Sequence, residues 1–520
     1  MLRRATAKQQ TATSVSLPPP IGGLNARDSL ALMQETDAVL LDNWFPGTTS
    51  VDLRKGRTAF ATFTGDCETV IAYNGASSEV FVAVDTTDDA IIDATAGGAI
   101  STPVVGGSGP TVQALSNARF DYQNFGNTAG QFLSLVNGAD TPLQYDGTTW
   151  SASTMTGSGL TTSDLFTVGV FAERLWFLES GTFNVWYLDT NAITGTATKL
   201  NVGSLFKLGG SLYNIVTWTA DTASQLADFI SFVSSEGEVV TFTGTDPSSE
   251  ATWLRIAHFR VGRPVTTGNR AWTKVGSESV LITADGLIPL SVAVLKDRAD
   301  TSAVITDKIR NLFNADVSTH GSRFGWSVVL HPEGQKLVVN VPIVENSASY
   351  QYVMNTQTGA WCRFTDWDAF CFESTRDTLY WGGSGVLAKA DTGLDDAGEP
   401  ITAKAKQAFS YFGQRGRIKE VTAARPILTI DGPVDLLLGV DVDYGDVDPT
   451  SSVPIDGNAG DAWETAWDVA WTGAPIIYDS WNSVRGVGYA IAPRFTVQAE
   501  GINLSWSATD FIFNYGGIGF

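Results

Sequence analysis

The chain holds 520 residues, with 52 Gly, 16 Trp and 27 Phe but only 17% charged residues, and its 55 acids against 33 bases give a net charge of −22. That length exceeds one ordinary domain, and the scarcity of Glu, Lys and Arg argues against a mainly helical protein. The acid excess argues against a conventional nucleic-acid binder, because such a surface repels phosphate and gains nothing from counterion release.

Residues 1–20, MLRRATAKQQTATSVSLPPP, contain Arg3, Arg4 and Lys8 but no apolar h-region of the kind a Sec signal needs. The stretch predicts a flexible basic arm ended by Pro18, Pro19 and Pro20, a stiff extended stop. Residues 21–60 follow as a docking segment. Asp42, Asn43, Pro46 and Gly47 are turn residues around Trp44 and Phe45, which read as exposed and as interface candidates. Val51 and Leu53 alternate with Asp52 and Arg54 as in a half-buried strand.

From 61 to 395 one theme recurs: short strand, turn, short strand, with an aromatic near each turn. TVIAYNGASSEVFVAVD (69–85), FAERLWFLESGTFNVWYLDT (171–190) and ADFISFVSSEGEVVTFTGTDP (227–247) are examples. The centres lie roughly 45–60 residues apart, the period of four-stranded propeller blades. A lone blade cannot bury both faces, whereas stacked blades bury one another's. Trp176-Phe177 with Trp186-Tyr187 should therefore be buried on both faces of a sheet. The pattern predicts an all-β chain with a β-propeller of six or seven blades, a β-sandwich pair being the alternative. Residues 396–520 have longer alternating strands, such as IKEVTAARPILTI and VDLLLGVDVDYG, and predict an additional sandwich-like or small-barrel domain. Within them, Trp463, Trp467 and Trp471 recur every four residues, which keeps all three on one face of either a helix or a strand. They are candidates for an anchoring surface.

Motifs for chemistry are sparse. His258, His320 and His331 have no ligand spacing, and there is neither a GxSxG elbow nor a Walker loop. Asp441, Asp443, Asp446 and Asp448 could offer oxygens to calcium, but Gly445 and Ser452 break the EF-hand order. LQYDGTTW (143–150) is like a sialidase Asp-box with its spacing broken, and a type I′ hairpin turn at Asp146-Gly147 accounts for it. Cys67, Cys362 and Cys371 form no Cys-x-x-Cys pair, so neither a zinc site nor a disulfide framework is expected, and folding in a reducing compartment is the simplest reading. No run of about 18 apolar residues predicts a membrane span. The residues nominate no catalytic group, cofactor or metal.

Three stretches together resemble one family, the tail nozzle proteins of short-tailed phages, also called tail stabilisation or tail hub proteins. They are GGLNARDSLALMQETDAVLLDNWFPGTTSVDLRKGR (22–57), FISFVSSEGEVVTFTGTDPSSEATWLRIAHFRVGRPV (229–265) and YVMNTQTGAWCRFTDWDAFCFESTRDTLYWGGSGVLAKADTG (352–393). AWETAWDVAWTG and VRGVGYAIAPRF also resemble that family, so the likeness spans nearly the whole chain. Ser29 stands where members often have Pro after the GLN-x-RD element. The resemblance implies a structural, non-enzymatic virion protein, folded in the host bacterial cytoplasm. It implies a propeller with added β-domains, six copies of which form a ring at the distal end of the tail. The ring would dock under the tail adaptor, support fibre or spike attachment, and form the last conduit and gate for double-stranded DNA, which passes without sequence-specific binding. Trp-rich turns suit another class as well, a glycan-binding or glycan-cleaving propeller of a tail appendage. That class requires a carboxylate pair in a cleft.

Overall fold

The computed structural model describes residues 12–76, 78–107, 112–222, 225–295, 304–455 and 475–516. They fold almost entirely as strands, with two α-helices among the described residues, Leu290–Leu295 and Arg310–His320. The chain divides into two compact units. One comprises residues 59–352 and 366–390; the other gathers the residues up to Thr58, residues 353–365 and residues 391–520.

The larger unit is built from antiparallel meanders. Asp121–Asn127 to Trp150–Ala152, Leu165–Phe171 to Thr198–Asn201, and Leu212–Thr222 to Leu254–Arg260 are each four strands in sequence order. A fourth meander runs Arg57–Asn74, Ser78–Asp85, Ala90–Asp93, Pro103–Gly106. These are four propeller-like blades, where spacing along the chain predicted six or seven. The difference arises because the later hairpins are leaner. Trp272–Val275, Glu278–Thr283 and Gly286–Pro289 make a three-stranded sheet. Arg57–Asn74 also bends: its register against Ser78–Asp85 shifts between Cys67 and Thr69. Ahead of that bulge, Ala61 and Thr62 pair with Gly98 and Ala99, and the same long strand pairs with Thr378–Ala390.

The core lies between neighbouring sheets. Trp176 and Tyr187 point into a cluster shared with Ile215, Phe232 and Phe242 of the following meander. Phe177 and Trp186 point the other way, into a cluster with Phe125 and Val136 of the preceding one. Successive strand residues face opposite sides of a sheet, so this hairpin is buried on both faces, as its composition predicted. Another cluster joins Tyr73 and Phe81 to Tyr145 and Trp150, whose rings stack at 4.9 Å.

The smaller unit contains two sheets. Lys419–Ile430 and Leu504–Tyr515 are the centre of one, with Val51–Leu53 and Trp44–Pro46 extending it. Asp37–Asp42, Ile401–Gln407, Ile491–Ala499 and Val434–Val442 are the centre of the other. The two face each other across Trp506, whose ring meets Trp44 at 6.1 Å and, from the opposite sheet, Phe495 at 4.5 Å. Arg54 is sealed into this unit. It forms a bidentate pair with Asp396 (2.5 and 2.9 Å) and donates to Asn43 Oδ1 and the Thr365 carbonyl.

Two expectations change here. The arm expected over residues 1–20 is not flexible throughout, because Thr13–Leu17 is a strand paired antiparallel with Leu504–Tyr515. Its backbone hydrogen bonds, with Leu17 buried at its end, hold it. Arg3, Arg4 and Lys8 lie outside the described residues. Trp44, expected at an exposed interface, is 1% exposed, because strand alternation turns it inward onto Trp506. Phe45 is half-buried and meets Phe364 edge-on at 6.4 Å. Trp463, Trp467 and Trp471 lie outside the described residues.

Candidate functional site at the propeller axis

The first strands of the sheets in the larger unit converge on one axis. Thr69, Asp121, Arg270, Val328 and Glu373, from five separate chain segments, line one cavity of about 230 Å³. A second cavity of about 570 Å³ is lined by Asn124, Gly169, Ile215, Asn269, Lys274 and Glu373.

A single 3₁₀ turn, Gly268–Ala271, is pinned across this axis. The Asn269 amide N–H donates to Asp121 Oδ1 at 2.9 Å, and Asn269 Nδ2 donates to the Tyr122 carbonyl at 2.7 Å. The Val168 N–H donates to the other Asp121 oxygen at 3.1 Å. Asp121 thus ties three segments together. Gly268 makes the approach feasible. Its φ is +69°, and a Cβ there would sit 2.8 Å from the Asp121 carboxyl carbon. Arg270 then reaches inward, donating from Nη2 to the Glu68 carbonyl (2.7 Å) and Thr69 Oγ1 (2.6 Å).

Phe324 lies between two guanidiniums, Arg119 Cζ at 4.1 Å and Arg270 Cζ at 4.5 Å from its ring centre. Arg119 in turn binds Glu68, which is 1% exposed, and Glu345, both at 2.9 Å. Glu68 also accepts from Asn346 Nδ2. The buried carboxylate is therefore fully engaged, as a buried charge must be.

Burial dominates the proton affinities. It raises Asp121 to about 6 against the opposing pull of the Asn269 and Val168 N–H groups. It raises Glu373 to about 7 against hydrogen bonds from Tyr122 and the Ser374 N–H. It lowers Arg270, against the attraction of Cys371, Glu68 and Asp121. Two acids thus titrate near neutrality inside the axis. Of the two acids, Glu373 borders both cavities, whereas both Asp121 oxygens are occupied by backbone donors.

The other sequence candidates hold structural posts. Asp441 binds Lys406 (2.8 Å) and Arg494 (3.1 Å), Asp448 binds Arg494 at 2.5 Å, and Asp446 contacts both cations. These acids are neutralised by protein cations, and among the described residues no group of three or more His, Cys, Asp or Glu is placed to hold a metal. Asp146 Oδ1 accepts from the Thr148 and Thr149 N–H groups and the Thr148 hydroxyl. The turn is not type I′, which needs positive φ at both central residues; only Gly147 has it. The Asp146 side chain supplies the closure instead. His258 lies 3.3 Å from Glu238, His331 is buried, and His320 ends a helix.

Sequence reasoning missed Asp121, Arg270 and Glu373. Their separation of about 150 and 100 residues leaves no local spacing to read. The one local signal was Gly268-Asn269, a pair suited to a tight turn.

A comparison with known protein families finds no match, and a comparison with curated proteins finds none either. Among solved structures, the chain is similar to a glycoside hydrolase family 43 arabinoxylan arabinofuranohydrolase from Bacillus subtilis. The two share 12% identity over 87% of this chain and 96% of that one, at a TM-score of 0.28. It is also similar to Raptor of Chaetomium thermophilum (10%, 66% and 29%, TM-score 0.40) and to an exo-beta-1,3-galactanase from Phanerochaete chrysosporium (10%, 88% and 100%, TM-score 0.29). Alignments this loose assign neither activity nor substrate to this chain.

Proposed function

We propose that the chain is a structural virion protein, one of six copies forming the distal nozzle of a short phage tail. The observation that carries the reading is the resemblance of three ordered stretches, 22–57, 229–265 and 352–393, to tail nozzle proteins. Two physical features support it. The axis of the larger unit is crossed by the chain's own Asn269 and Arg270, which suits a rigid building block better than a ligand socket. Six copies would carry a charge of about −130, and an acidic lumen lets a duplex slide past without partners for its phosphates. On this reading the tail adaptor and a fibre or spike protein are the partners, double-stranded DNA passes through the lumen of the ring without sequence-specific binding, and the protein performs no catalysis. We also read the propeller as seven units. The three-stranded sheet, the strands Ser327–His331 and Lys336–Val344, and the hairpin of Cys371–Thr375 with Thr378–Ala390 would add three to the four regular meanders, since Thr273, Val328 and Glu373 line the same axis.

The test is electron microscopy of phage particles labelled with an antibody against this chain. Label at the distal tip of a short tail, with six-fold averages beneath the adaptor, is the expected result. Label on lateral appendages, or on no particle, overturns it.

A second reading, a glycan-cleaving propeller, draws on Asp121 and Glu373, two acids of raised proton affinity lining one cavity. At about 230 Å³ that cavity falls below the ~300–1,000 Å³ usual for ligand pockets. Release of reducing sugar from bacterial polysaccharide that is lost in Glu373→Gln would favour this second reading.

A further inference from the structure

The two cysteines that the sequence dismissed meet in the larger unit. Cys67 and Cys371 are 304 residues apart, and their sulfurs lie 4.0 Å from each other. Cys67 sits at the register shift of Arg57–Asn74, and Cys371 opens the strand Cys371–Thr375. The Cys371 S–H is 3.3 Å from the Cys67 carbonyl. A glycine makes the space for them: a Cβ on Gly382, which pairs with Cys371, would lie 2.4 Å from the Cys67 sulfur and 2.9 Å from the Cys371 sulfur.

The two sulfurs are not equivalent. Cys371 borders the axial cavity of about 230 Å³, together with Arg270; Cys67 does not. Burial opposes ionisation of both. At Cys371 it is overcome by the hydrogen bond from Cys67 and the charge of Arg270, which lower that thiol, whereas burial and the Cys371 sulfur raise Cys67. A thiol that borders a cavity together with a cation and is backed by a second thiol is the arrangement of an oxidisable pair.

We propose that Cys67 and Cys371 form a peroxide-driven disulfide clasp that ties the first long strand of the larger unit to its closing hairpin. Cys371 Sγ, giving up its proton, attacks one oxygen of a hydroperoxide. The O–O bond breaks, the other oxygen leaves as an alcohol or water after taking a proton, and Cys371 becomes a sulfenic acid. The Cys67 sulfur then attacks Cys371 Sγ, the S–O bond breaks, and water departs with the Cys67 proton. Two thiols and one hydroperoxide give one disulfide, one alcohol or water, and one water. Hydrogen peroxide is close to water in size, and a water occupies about 30 Å³ of liquid, so the cavity of about 230 Å³ admits it. The two cysteines stand on strands that flank Thr378–Ala390, so closing the sulfurs to the about 2.05 Å of a disulfide draws those two strands together over Gly382, whose missing side chain leaves the room.

The experiment treats the full-length protein with hydrogen peroxide and counts free thiols after denaturation, with peptide mapping of the product. The expected result is a fall from three thiols to one, a peptide linking Cys67 to Cys371, and reversal by dithiothreitol. Cys362 is the internal control; it lies in the other unit, is 0% exposed, and donates to the Val353 carbonyl. Retention of all three thiols, or linkage through Cys362, overturns the proposal. In Cys67→Ser, peroxide with dimedone should label Cys371 as the trapped sulfenic acid, whereas Cys371→Ser should leave Cys67 unlabelled. Labelling in the reverse order refutes the assignment of Cys371 as the attacking thiol.

Discussion

Glu373 offers the sharpest test of the axial electrostatics. Burial raises its carboxyl from 4.5 to about 7 in the folded chain. The folded state therefore holds this proton more tightly than the unfolded state does. Below pH 4.5 both states are protonated and the group's stabilising contribution is fully present. As pH rises from 4.5 to 7 the unfolded state ionises first, so stability falls; above 7 the loss is complete. At about 1.4 kcal/mol per pH unit, the difference is about 3 kcal/mol. Glu373→Gln keeps the shape and an oxygen that accepts from Tyr122, but it has no proton to lose. For a unit of this size, about 2 °C per kcal/mol is expected. The variant should thus match the wild type near pH 4.5 and melt about 6 °C higher at pH 8. Differential scanning calorimetry of the two proteins across that range measures it. Melting curves that stay parallel at every pH would refute the claim that Glu373 is held in a water-poor axis.

Other perturbations address other joints. Gly268→Ala forces a left-handed φ on alanine and drives a methyl into the Asp121 carboxyl; a loss of about 2–4 kcal/mol is expected, read as an earlier denaturant midpoint. Arg54→Met strands Asp396, 4% exposed, without its bidentate partner. It should cost about 3–5 kcal/mol, and most of that should return in Arg54→Met with Asp396→Leu. Trp506→Ala opens a void between two sheets and should cost about 3–5 kcal/mol in the melting of the smaller unit. Calcium at millimolar level should leave the melting temperature unchanged, because Lys406 and Arg494 already satisfy Asp441, Asp446 and Asp448; a rise with calcium would show that the ion displaces them.

What could be read from the chain alone follows a physical divide. Period-two alternation and paired aromatics are local, so the strands and the doubly buried Trp176/Trp186 hairpin were legible. The fate of Trp44 was not. Turn residues around it imply an exposed loop, but a three-residue strand suffices to turn one side chain inward, and only the distant Trp506 and Phe495 decide that inside is where it rests. The acids at 441–448 looked like a cation site because the sequence shows acids together, whereas their partners Lys406 and Arg494 arrive from flanking strands.

The axis is the extreme case of the same divide. A sheet that stacks around a common centre places residues together by rotation and not by spacing, so each contributes a few residues from its first strand. Asp121, Arg270 and Glu373 come from three such strands or turns, and Cys67 and Cys371 from the strand that opens the unit and the hairpin that closes it. Apart from Cys371 and Glu373, which share one short strand, no two of these groups are close along the chain. Their meeting depends on the bulge at Cys67–Thr69, which redirects one long strand from Gly98–Ala99 to Ser78–Asp85. A single register irregularity therefore positions both the axial carboxylates' neighbour Thr69 and the thiol pair. Shifting it by one residue would reverse which face Cys67 presents, separating the sulfurs and taking that side chain out of the core cluster it shares with Val82, Val84 and Cys371.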